Sequence, residues 1–321
     1  MLSRREWIAM AASVSAAATI DPRGLLAQGK SVITRPIPSS GERIPVVGLG
    51  SSATFSQVAR SEDVSAIREV MKAMAELGGT VFDTAPSYGA SEEVAGTLVN
   101  ELGLVDRMFW ATKVNVASRG GTADRSAALA QIETSFGRVK KRAIDLIQVH
   151  NLGDVPTQLA ILKDLKRQGR IRYLGVTTTN DGQYSELETI MRNEPLDFIE
   201  IDYSIANRNV EETILPLAAQ RKIGVLVALP FGRAALFGRV AGKPLPNWAG
   251  DIDVHSWAQY FLKFVVGHPA VTAAIPSTSK VANLRDNMGA ATGRLPDPAL
   301  RVRMVEYFDS VAGPSDGRRG R

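Results

Sequence analysis

The feature that most constrains the fold is a regular alternation of short apolar runs with longer amphipathic segments, which begins at Val46. Each short run is too apolar for a surface helix, which indicates strands buried on both faces. Eight strands separated by helices predict a parallel sheet. The eight runs, rich in β-branched and aromatic residues, are at 46–49, 80–83, 109–113, 146–150, 173–177, 198–202, 225–229 and 271–276.

The segments between these strands have helical patterns. Residues 62–77 place their apolar side chains on one stripe, which ends at Gly78-Gly79. Ser91, followed by two glutamates, is predicted to be the N-cap of the next helix. Further helices are predicted at residues 123–138, 155–168, 184–192, 210–220, 256–266 and 280–291.

Two architectures accommodate eight parallel strands: a closed barrel and an open, doubly wound sheet. The closed barrel is favoured because no Gly-x-Gly-x-x-Gly sequence follows the first strand. Residues 39–42 are expected to form the turn of a hairpin ahead of the barrel, and residues 298–311 one further helix. The prediction is therefore an α/β protein, a (β/α)8 TIM barrel with an N-terminal β-hairpin and an extra C-terminal helix.

The composition argues against several kinds of site. The 321 residues include no cysteine, so disulfides, thiolate metal ligands and cysteine nucleophiles are excluded. The three histidines are far apart in sequence, and no metal site is expected. The net charge of +5 is dispersed, without the basic stripe and interleaved aromatic residues that binding to nucleic acid requires.

The first thirty residues have the anatomy of an export signal. Arg4 and Arg5 precede an apolar run that extends to Thr19 and is shorter than the ~20 residues of a membrane-spanning helix. The arginine pair and Trp7 resemble the twin-arginine signature. That resemblance implies recognition by the twin-arginine export machinery, a periplasmic location, cleavage after Ala27 and no stable membrane anchor. The alternative is an unprocessed amphipathic helix.

The predicted domain organisation follows from these patterns. Residues 1–30 form the export signal and a linker, residues 31–312 a single barrel domain, and residues 313–321 a flexible tail that contains three arginines.

Ionisable residues occupy the C-terminal ends of the predicted strands, where α/β barrels have their active sites. Asp83 ends the second strand, Lys113 the third and His150 the fourth, and Tyr88 follows in the loop after the second strand. A nearby ammonium stabilises a phenolate, so Lys113 is expected to lower the pKa of Tyr88 and make it a better proton donor. Asp83 would keep Lys113 charged, and His150 would bind a substrate oxygen.

These residues carry a resemblance to a known family. The segment at 82–92, FDTAPSYGASE, resembles the first signature of the aldo-keto reductase superfamily, and all four members of its catalytic tetrad are matched by Asp83, Tyr88, Lys113 and His150. The resemblance implies an oxidoreductase that transfers a hydride from NADPH to an aldehyde or ketone, with Tyr88 as general acid. The similarity continues through residues 112–113, 145–150, 171–176, 275–278 and 286–287.

The resemblance also implies a cofactor site, with several departures. Thr177 and Thr178 replace the family's Ser-Asn pair at the nicotinamide amide, Glu200 replaces a glutamine, and Ala228 replaces a stacking aromatic residue. NADP is implied, with NAD open as an alternative. The implied cofactor-binding residues are Thr177, Thr178, Glu200, Pro230, Phe231, Gly232, Ser277, Thr278, Lys280, Asn283, Asp286 and Asn287.

The long segment at residues 230–253 contains four glycines and is interpreted as a lid over the cofactor. Phe55 and Trp248 are predicted to be walls of the substrate pocket. Two functions are weighed beside an active carbonyl reductase. One is a regulatory module that binds the cofactor and senses redox state with little turnover; the other is a cofactor-free binder of small solutes, which leaves Asp83, Tyr88 and Lys113 unexplained.

Overall fold

A computed structural model of the chain describes residues 31–61, 63–118 and 120–313. From Val32 onwards these residues belong to one compact unit. Eight strands alternate with helices along it, as the apolar runs predict. The strands of the main sheet are β3 (Leu49–Gly50), β4 (Val81–Asp83), β5 (Phe109–Val114), β6 (Ile144–Val149), β7 (Ile171–Thr178), β8 (Phe198–Ile201), β9 (Gly224–Val227) and β10 (Ala273–Ala274).

The eight strands form a barrel. Each strand pairs in parallel with the next one in the sequence, from β3 to β10. Parallel bridges between Val47 and Ala274 and between Gly50 and Ser277 then join the first strand to the last. This closure confirms the predicted (β/α)8 barrel and excludes the open, doubly wound sheet.

A hairpin covers the N-terminal end of the barrel. Strands β1 (Thr34–Pro36) and β2 (Arg43–Pro45) pair antiparallel, with Thr34 opposite Pro45. Ile37 and Ile44 of this hairpin belong to the apolar cluster that fills the barrel interior. The hairpin therefore confirms the N-terminal prediction, and it leaves the C-terminal ends of the strands as the open end. The interior cluster also includes Val81, Phe109, Ala111, Leu146, Tyr173, Phe198, Leu226, Ala273 and Ile275.

The helices surround the barrel. The helix α3 (Ser91–Glu101) begins at Ser91, whose hydroxyl donates to the carbonyl of Ser51 at 2.9 Å, so the predicted N-cap at Ser91 is wrong. The predicted outer helix is present as α11 (Pro298–Val311). The helices are α1 (Thr54–Ala59), α2 (Ser65–Glu76), α3 (Ser91–Glu101), α4 (Arg125–Val139), α5 (Val155–Arg167), α6 (Tyr184–Asn193), α7 (Ile214–Arg221), α8 (Ala235–Arg239), α9 (Trp257–Val266), α10 (Val281–Gly289) and α11 (Pro298–Val311).

Two parts of the sequence need separate mention. The predicted export signal and most of the predicted tail lie outside the described residues. Among the helices that are described, none combines the length and the apolar character that crossing a bilayer requires.

Candidate active site

Lys113 enters the barrel because side chains alternate along β5. Phe109 and Ala111 of this strand pack in the interior cluster, and Lys113 follows at the same spacing, one step nearer the open end. Its side chain is fully buried. A buried ammonium is stable only when its donors are paired, so its partners define the chemistry of this end of the barrel.

Asp83 and Thr84 supply three of those partners. The ammonium nitrogen of Lys113 lies 2.8 and 2.7 Å from the two carboxylate oxygens of Asp83 and 3.0 Å from the carbonyl oxygen of Thr84. Burial by itself lowers the pKa of Lys113, but the charges of Asp83 and Glu200 outweigh this and raise it. Lys113 is therefore a permanent cation, as the strand-end pattern predicts.

Glu200 is a second carboxylate on the same ammonium. Its Oε2 atom lies 3.2 Å from the lysine nitrogen and accepts a hydrogen bond of 2.9 Å from the side-chain amide of Gln148. Glu200 thus contacts Lys113, although the sequence placed it at the cofactor amide. Gln148 was missed as a site residue; its signal was an amide two residues before His150, on the row of β6 that carries Leu146 into the barrel interior.

Tyr88 and His150 complete the group at the open end. Their rings meet edge to face with centroids 5.9 Å apart, and the Lys113 nitrogen lies 5.2 Å from the centre of the Tyr88 ring. A turn between the Ala85 carbonyl and the Tyr88 amide, at 3.0 Å, positions the tyrosine, and Gly89 continues it at φ 62°. The structure therefore brings together all four predicted catalytic residues.

The acidity of Tyr88 differs from the expectation. Burial raises the pKa of its phenol to about 12. The charge of Lys113 lowers this pKa, as predicted, but the charges of Glu200 and Asp83 raise it and counteract the lysine. The net shift in the protein without ligands is upward, so the predicted fall is wrong. The main element that the prediction lacked was the burial of Tyr88, to which the charges of Glu200 and Asp83 add.

His150 is neutral at physiological pH. Burial and then the charge of Lys113 lower its pKa to about 4. The residue after it, Asn151, has a left-handed backbone (φ 53°), and its amide donates to the Thr177 hydroxyl at 3.0 Å. Thr177 thus lies at the open end and fixes the turn that carries His150. A neutral imidazole there can donate a hydrogen bond to a carbonyl oxygen.

Thr178 does not face the open end. Adjacent residues of a strand point to opposite faces, and the Thr178 hydroxyl lies 2.6 Å from the side-chain oxygen of Gln183 and accepts from the Asn180 amide at 3.1 Å. The threonine therefore fixes the loop after β7 from the outer face. Its predicted contact with the cofactor amide is not supported by this placement.

The predicted phosphate-binding residues gather where α10 begins. Thr278 accepts from the Lys280 amide at 3.1 Å, and Lys280 is exposed beside the first turn of the helix, which has no side-chain cap. Asn283 is exposed on that turn and Asn287 is buried. Backbone amides, hydroxyls and an ammonium are the donors that a phosphate requires, so this donor set fits the phosphate end of a nicotinamide dinucleotide.

Three residues near this region have other contacts. Ser277 donates its hydroxyl hydrogen to the carbonyl of Ser52, and Asp286 accepts from the side-chain amide of Gln259 at 2.8 Å. Arg285 lies 3.8 Å from Glu76 on the surface. Of the three, Ser277 is the one at a strand end, where it forms the parallel bridge with Gly50.

The loop after β9 has an unusual backbone. Gly232, Arg233 and Ala234 follow one another at positive φ, of 54°, 54° and 70°. The ring of Phe231 packs against Phe237, with centroids 5.0 Å apart, so it belongs to an aromatic cluster. Pro230 is buried. The predicted long loop also contains helix α8 and a short 3₁₀ helix at Ala249–Ile252.

The two predicted pocket walls lie elsewhere. Phe55 is fully buried and packs on Phe82, with centroids 5.6 Å apart, between the barrel and its helices, because Phe82 points outward from β4 while Asp83 points inward. Trp248 packs against Tyr260 of α9, with centroids 6.1 Å apart, and beneath Arg303 of α11. Both predictions are corrected: these side chains stabilise helix packing.

A carboxylate at the end of β8 was given no role by the sequence. Asp202 accepts from the side-chain amide of Asn207 at 3.1 Å, while its buried Oδ1 atom has no hydrogen-bond partner among the described residues. Burial raises the pKa of Asp202 to about 6. Its signal was its place two residues after Glu200 on an inward-facing row.

In the part of the chain that the structure describes, no group of three or more His, Asp or Glu is arranged to hold a metal ion.

Comparison with known proteins adds independent information. Residues 46–301 match the model of the Aldo/keto reductase family. The chain is similar to aldo-keto reductase YhdN of Bacillus subtilis, 30% identical over 213 residues, which is 64% of this chain and 63% of that protein. It is also similar to methylglyoxal reductase YeaE of Escherichia coli, 28% identical over 273 residues, which is 82% of this chain and 91% of that protein.

Solved structures share the fold. The holo form of aldo-keto reductase AKR11C1 from Bacillus halodurans aligns with a TM-score of 0.70 at 21% identity, over 90% of this chain and all of that one. An aldo/keto reductase from Klebsiella pneumoniae in complex with NADP and acetate aligns with a TM-score of 0.63 at 23% identity, over 84% of this chain and 93% of that one.

Proposed function

The chain belongs to the aldo/keto reductase family, and from this we propose that it reduces aldehydes or ketones to alcohols with NADPH. The observation that carries the proposal is the assembly of Tyr88, His150 and the buried Lys113–Asp83 pair at the open end of the barrel. No contact among the described residues favours the redox-sensing alternative, which does not require a buried cation beside a tyrosine.

The chain's own residues account for the proton and for substrate orientation. The hydride comes from the reduced nicotinamide when that cofactor is bound. Tyr88 donates a hydrogen bond to the substrate carbonyl oxygen and gives up its proton as negative charge develops there. His150, which is neutral because burial lowers its pKa to about 4, donates a second hydrogen bond that orients the carbonyl. An alkoxide is a stronger base than a phenolate, so transfer from Tyr88 is downhill even with its raised pKa.

Lys113 and Asp83 act through Tyr88. The ammonium stabilises the phenolate that remains after proton transfer, and the two hydrogen bonds from Lys113 to Asp83 keep that ammonium in place. The aldehyde or ketone carbon gains a hydride and its oxygen gains a proton, which gives the alcohol.

The residues that would hold NADPH are those at the phosphate end. Thr278, Lys280 and the first-turn amides of α10 supply donors for the phosphates, with Ser277 and Asn287 beside them. Lys280 is the nearby exposed cation that favours NADP over NAD. Aldo-keto reductases from Klebsiella pneumoniae in complex with NADP and with NADPH support this choice.

A titration tests the proposal. We expect NADPH to change the tryptophan fluorescence of the purified protein at lower concentration than NADH, and small aldehydes to be reduced in its presence. Tyr88→Phe should bind NADPH with unchanged affinity and lose about 100-fold or more in kcat. Binding without turnover in the wild type would instead support the redox-sensing module.

We also propose that the chain is exported to the periplasm through the twin-arginine route, on the strength of Arg4, Arg5 and the apolar run after them. Its test is cell fractionation of the full-length protein beside the Arg4→Lys/Arg5→Lys double variant. Retention of the variant, with the wild type in the periplasm, supports the proposal; equal distribution of the two argues against it.

A further inference from the structure

The cluster around Lys113 contains one more carboxyl group than the lysine can neutralise. Its ammonium lies 2.7 Å from Asp83 and 3.2 Å from Glu200, and no side chain of the three is more than 4% exposed. If both carboxyl groups were ionised, the cluster would carry a net charge of minus one away from water. Buried groups avoid such a charge by taking up a proton, as paired carboxyl groups in other proteins do.

We propose that Glu200 is a positioning residue of this site, which shares one proton with Asp83 around the Lys113 ammonium, and that loss of this proton weakens the support that Lys113 gives to Tyr88. The effect on turnover rests on the proposed reductase function. The shared proton itself does not, because it follows from the geometry of the ligand-free protein.

The groups around the pair support this assignment. Burial and the charge of Glu200 raise the pKa of Asp83 to about 8, which keeps the proton in the cluster at neutral pH. The pair consists of Asp83 on β4 and Glu200 on β8. The charged or titratable groups that face it are Tyr88 in the loop after β4, Lys113 on β5 and His150 after β6. Among these described groups Lys113 is the one cation, so it alone compensates the carboxylates.

The consequence for Tyr88 has a definite sign. When the pair loses its proton, the added negative charge makes the phenolate less stable and Tyr88 a weaker acid. The wild-type kcat should therefore fall as the pH rises through about 8, the value to which burial and Glu200 raise the pKa of Asp83. In Glu200→Gln, Lys113 faces Asp83 alone, the cluster is neutral, and this step should disappear.

Glu200→Gln is a conservative test because the replacement has nearly the same size. Its side-chain oxygen can accept the hydrogen bond that Gln148 now donates to Glu200 at 2.9 Å. Asp197→Asn is a matched control: Asp197 is a lysine-paired carboxylate three residues earlier, at the opposite end of the barrel, where it contacts Lys166 at 2.5 Å.

The first readout is infrared spectroscopy of the ligand-free protein at pH 7. We expect the carbonyl band of one protonated, buried carboxylic acid in the wild type and in Asp197→Asn, and its loss in both Glu200→Gln and Asp83→Asn. Absence of the band from the wild type, or its persistence in Glu200→Gln, overturns the proposal. If Asp83→Asn does not fold, Glu200→Gln decides alone.

The second readout is the ionisation of Tyr88, from the absorbance of each protein minus that of its Tyr88→Phe counterpart. Glu200→Gln should lower the midpoint by about one pH unit or more, a tenfold change in acidity, while Asp197→Asn leaves it unchanged. An unshifted midpoint in Glu200→Gln contradicts the proposal. If the band and the midpoint behave as expected but the wild type reduces no carbonyl compound, the proposed function fails and the shared proton stands.

Discussion

Lys113 and Asp83 are joined by two hydrogen bonds, of 2.8 and 2.7 Å, between one ammonium nitrogen and both oxygens of one carboxylate. Neither side chain is more than 4% exposed. At that depth the two charges depend on each other, because removal of one leaves the other buried without a partner. The pair therefore connects the chemistry of the site to the stability of the barrel.

Lys113→Met should be strongly destabilising. It leaves Asp83 and Glu200 buried without their cation, a loss for which about 3–5 kcal/mol is typical. Burial raises the pKa of Asp83 above its unfolded value, so the loss should be largest at pH 8 and should shrink below about pH 4, where Asp83 is protonated in both states. Urea unfolding at both pH values measures this.

Lys163→Met is the control for that experiment. Lys163 pairs with Glu194 on the surface, where both side chains are 32% exposed, and such pairs contribute about 1 kcal/mol or less. Equal losses in the two variants would show that the buried ammonium has no special part in stability.

Acid sensitivity should depend on two half-buried histidines. Burial lowers the pKa of His150 and of His268 to about 4 each. The ordinary value is about 6.5, so as the pH falls the unfolded chain binds these protons first, and stability should decrease from about pH 6.5 to pH 4. His150→Gln should remove part of this decrease in urea midpoints between pH 7.5 and 4.5. His255→Gln, at an exposed residue, is the control. If the urea midpoint of His150→Gln fell with pH as steeply as that of the wild type, the assignment would be contradicted.

Asp202 presents the opposite case, a carboxylate that costs stability at neutral pH. Burial raises its pKa to about 6, above the unfolded value of about 4, so its unfavourable contribution grows as the pH rises from about 4 to about 6 and is complete above that. Asp202→Asn should therefore unfold at higher temperature than the wild type at pH 8, with the difference smaller at pH 4. A lower melting temperature at pH 8 would mean that the ionised form has partners that offset its burial.

The sequence predicts the architecture of the barrel well because its strands are marked locally. Apolar runs of four to six residues give the eight strands in order, and parallel strands bring Asp83, Lys113 and His150 to one end whatever their distance in sequence. The short helices α1 and α8, of six and five residues, have no such mark, since they are too short to show a helical period.

The site was predicted less completely because its contacts cross the barrel. Sequence places Glu200 at a strand end but does not identify the lysine that it contacts. Nor does it show how deeply Tyr88 is buried, and that burial is the main reason why the pKa of Tyr88 is raised and not lowered. Thr178 and Phe55 show the same limit. Thr178 follows Thr177 in the sequence but contacts Gln183 on the outer face of the barrel, and Phe55 of α1 packs on Phe82 outside the barrel.

The packing of the helices makes one further prediction. Gly96 of α3 lies against the end of α4, and a Cβ atom at this position would be 2.0 Å from the carbonyl oxygen of Arg138. Non-bonded carbon and oxygen atoms do not approach so closely, so an added methyl group must push the two helices apart. Gly96→Ala should therefore lower the free energy of unfolding by about 1–3 kcal/mol, the usual range for overpacking.

Gly137→Ala provides the matched control, because Gly137 belongs to the partner helix and a Cβ atom there would meet nothing within 4 Å. Alanine is the better helix former, so this variant should be more stable than the wild type by about 0.5–1 kcal/mol. Urea unfolding of the three proteins at pH 7, with unchanged slopes, gives both differences. Equal stability of the two variants would mean that α3 and α4 can separate at no cost.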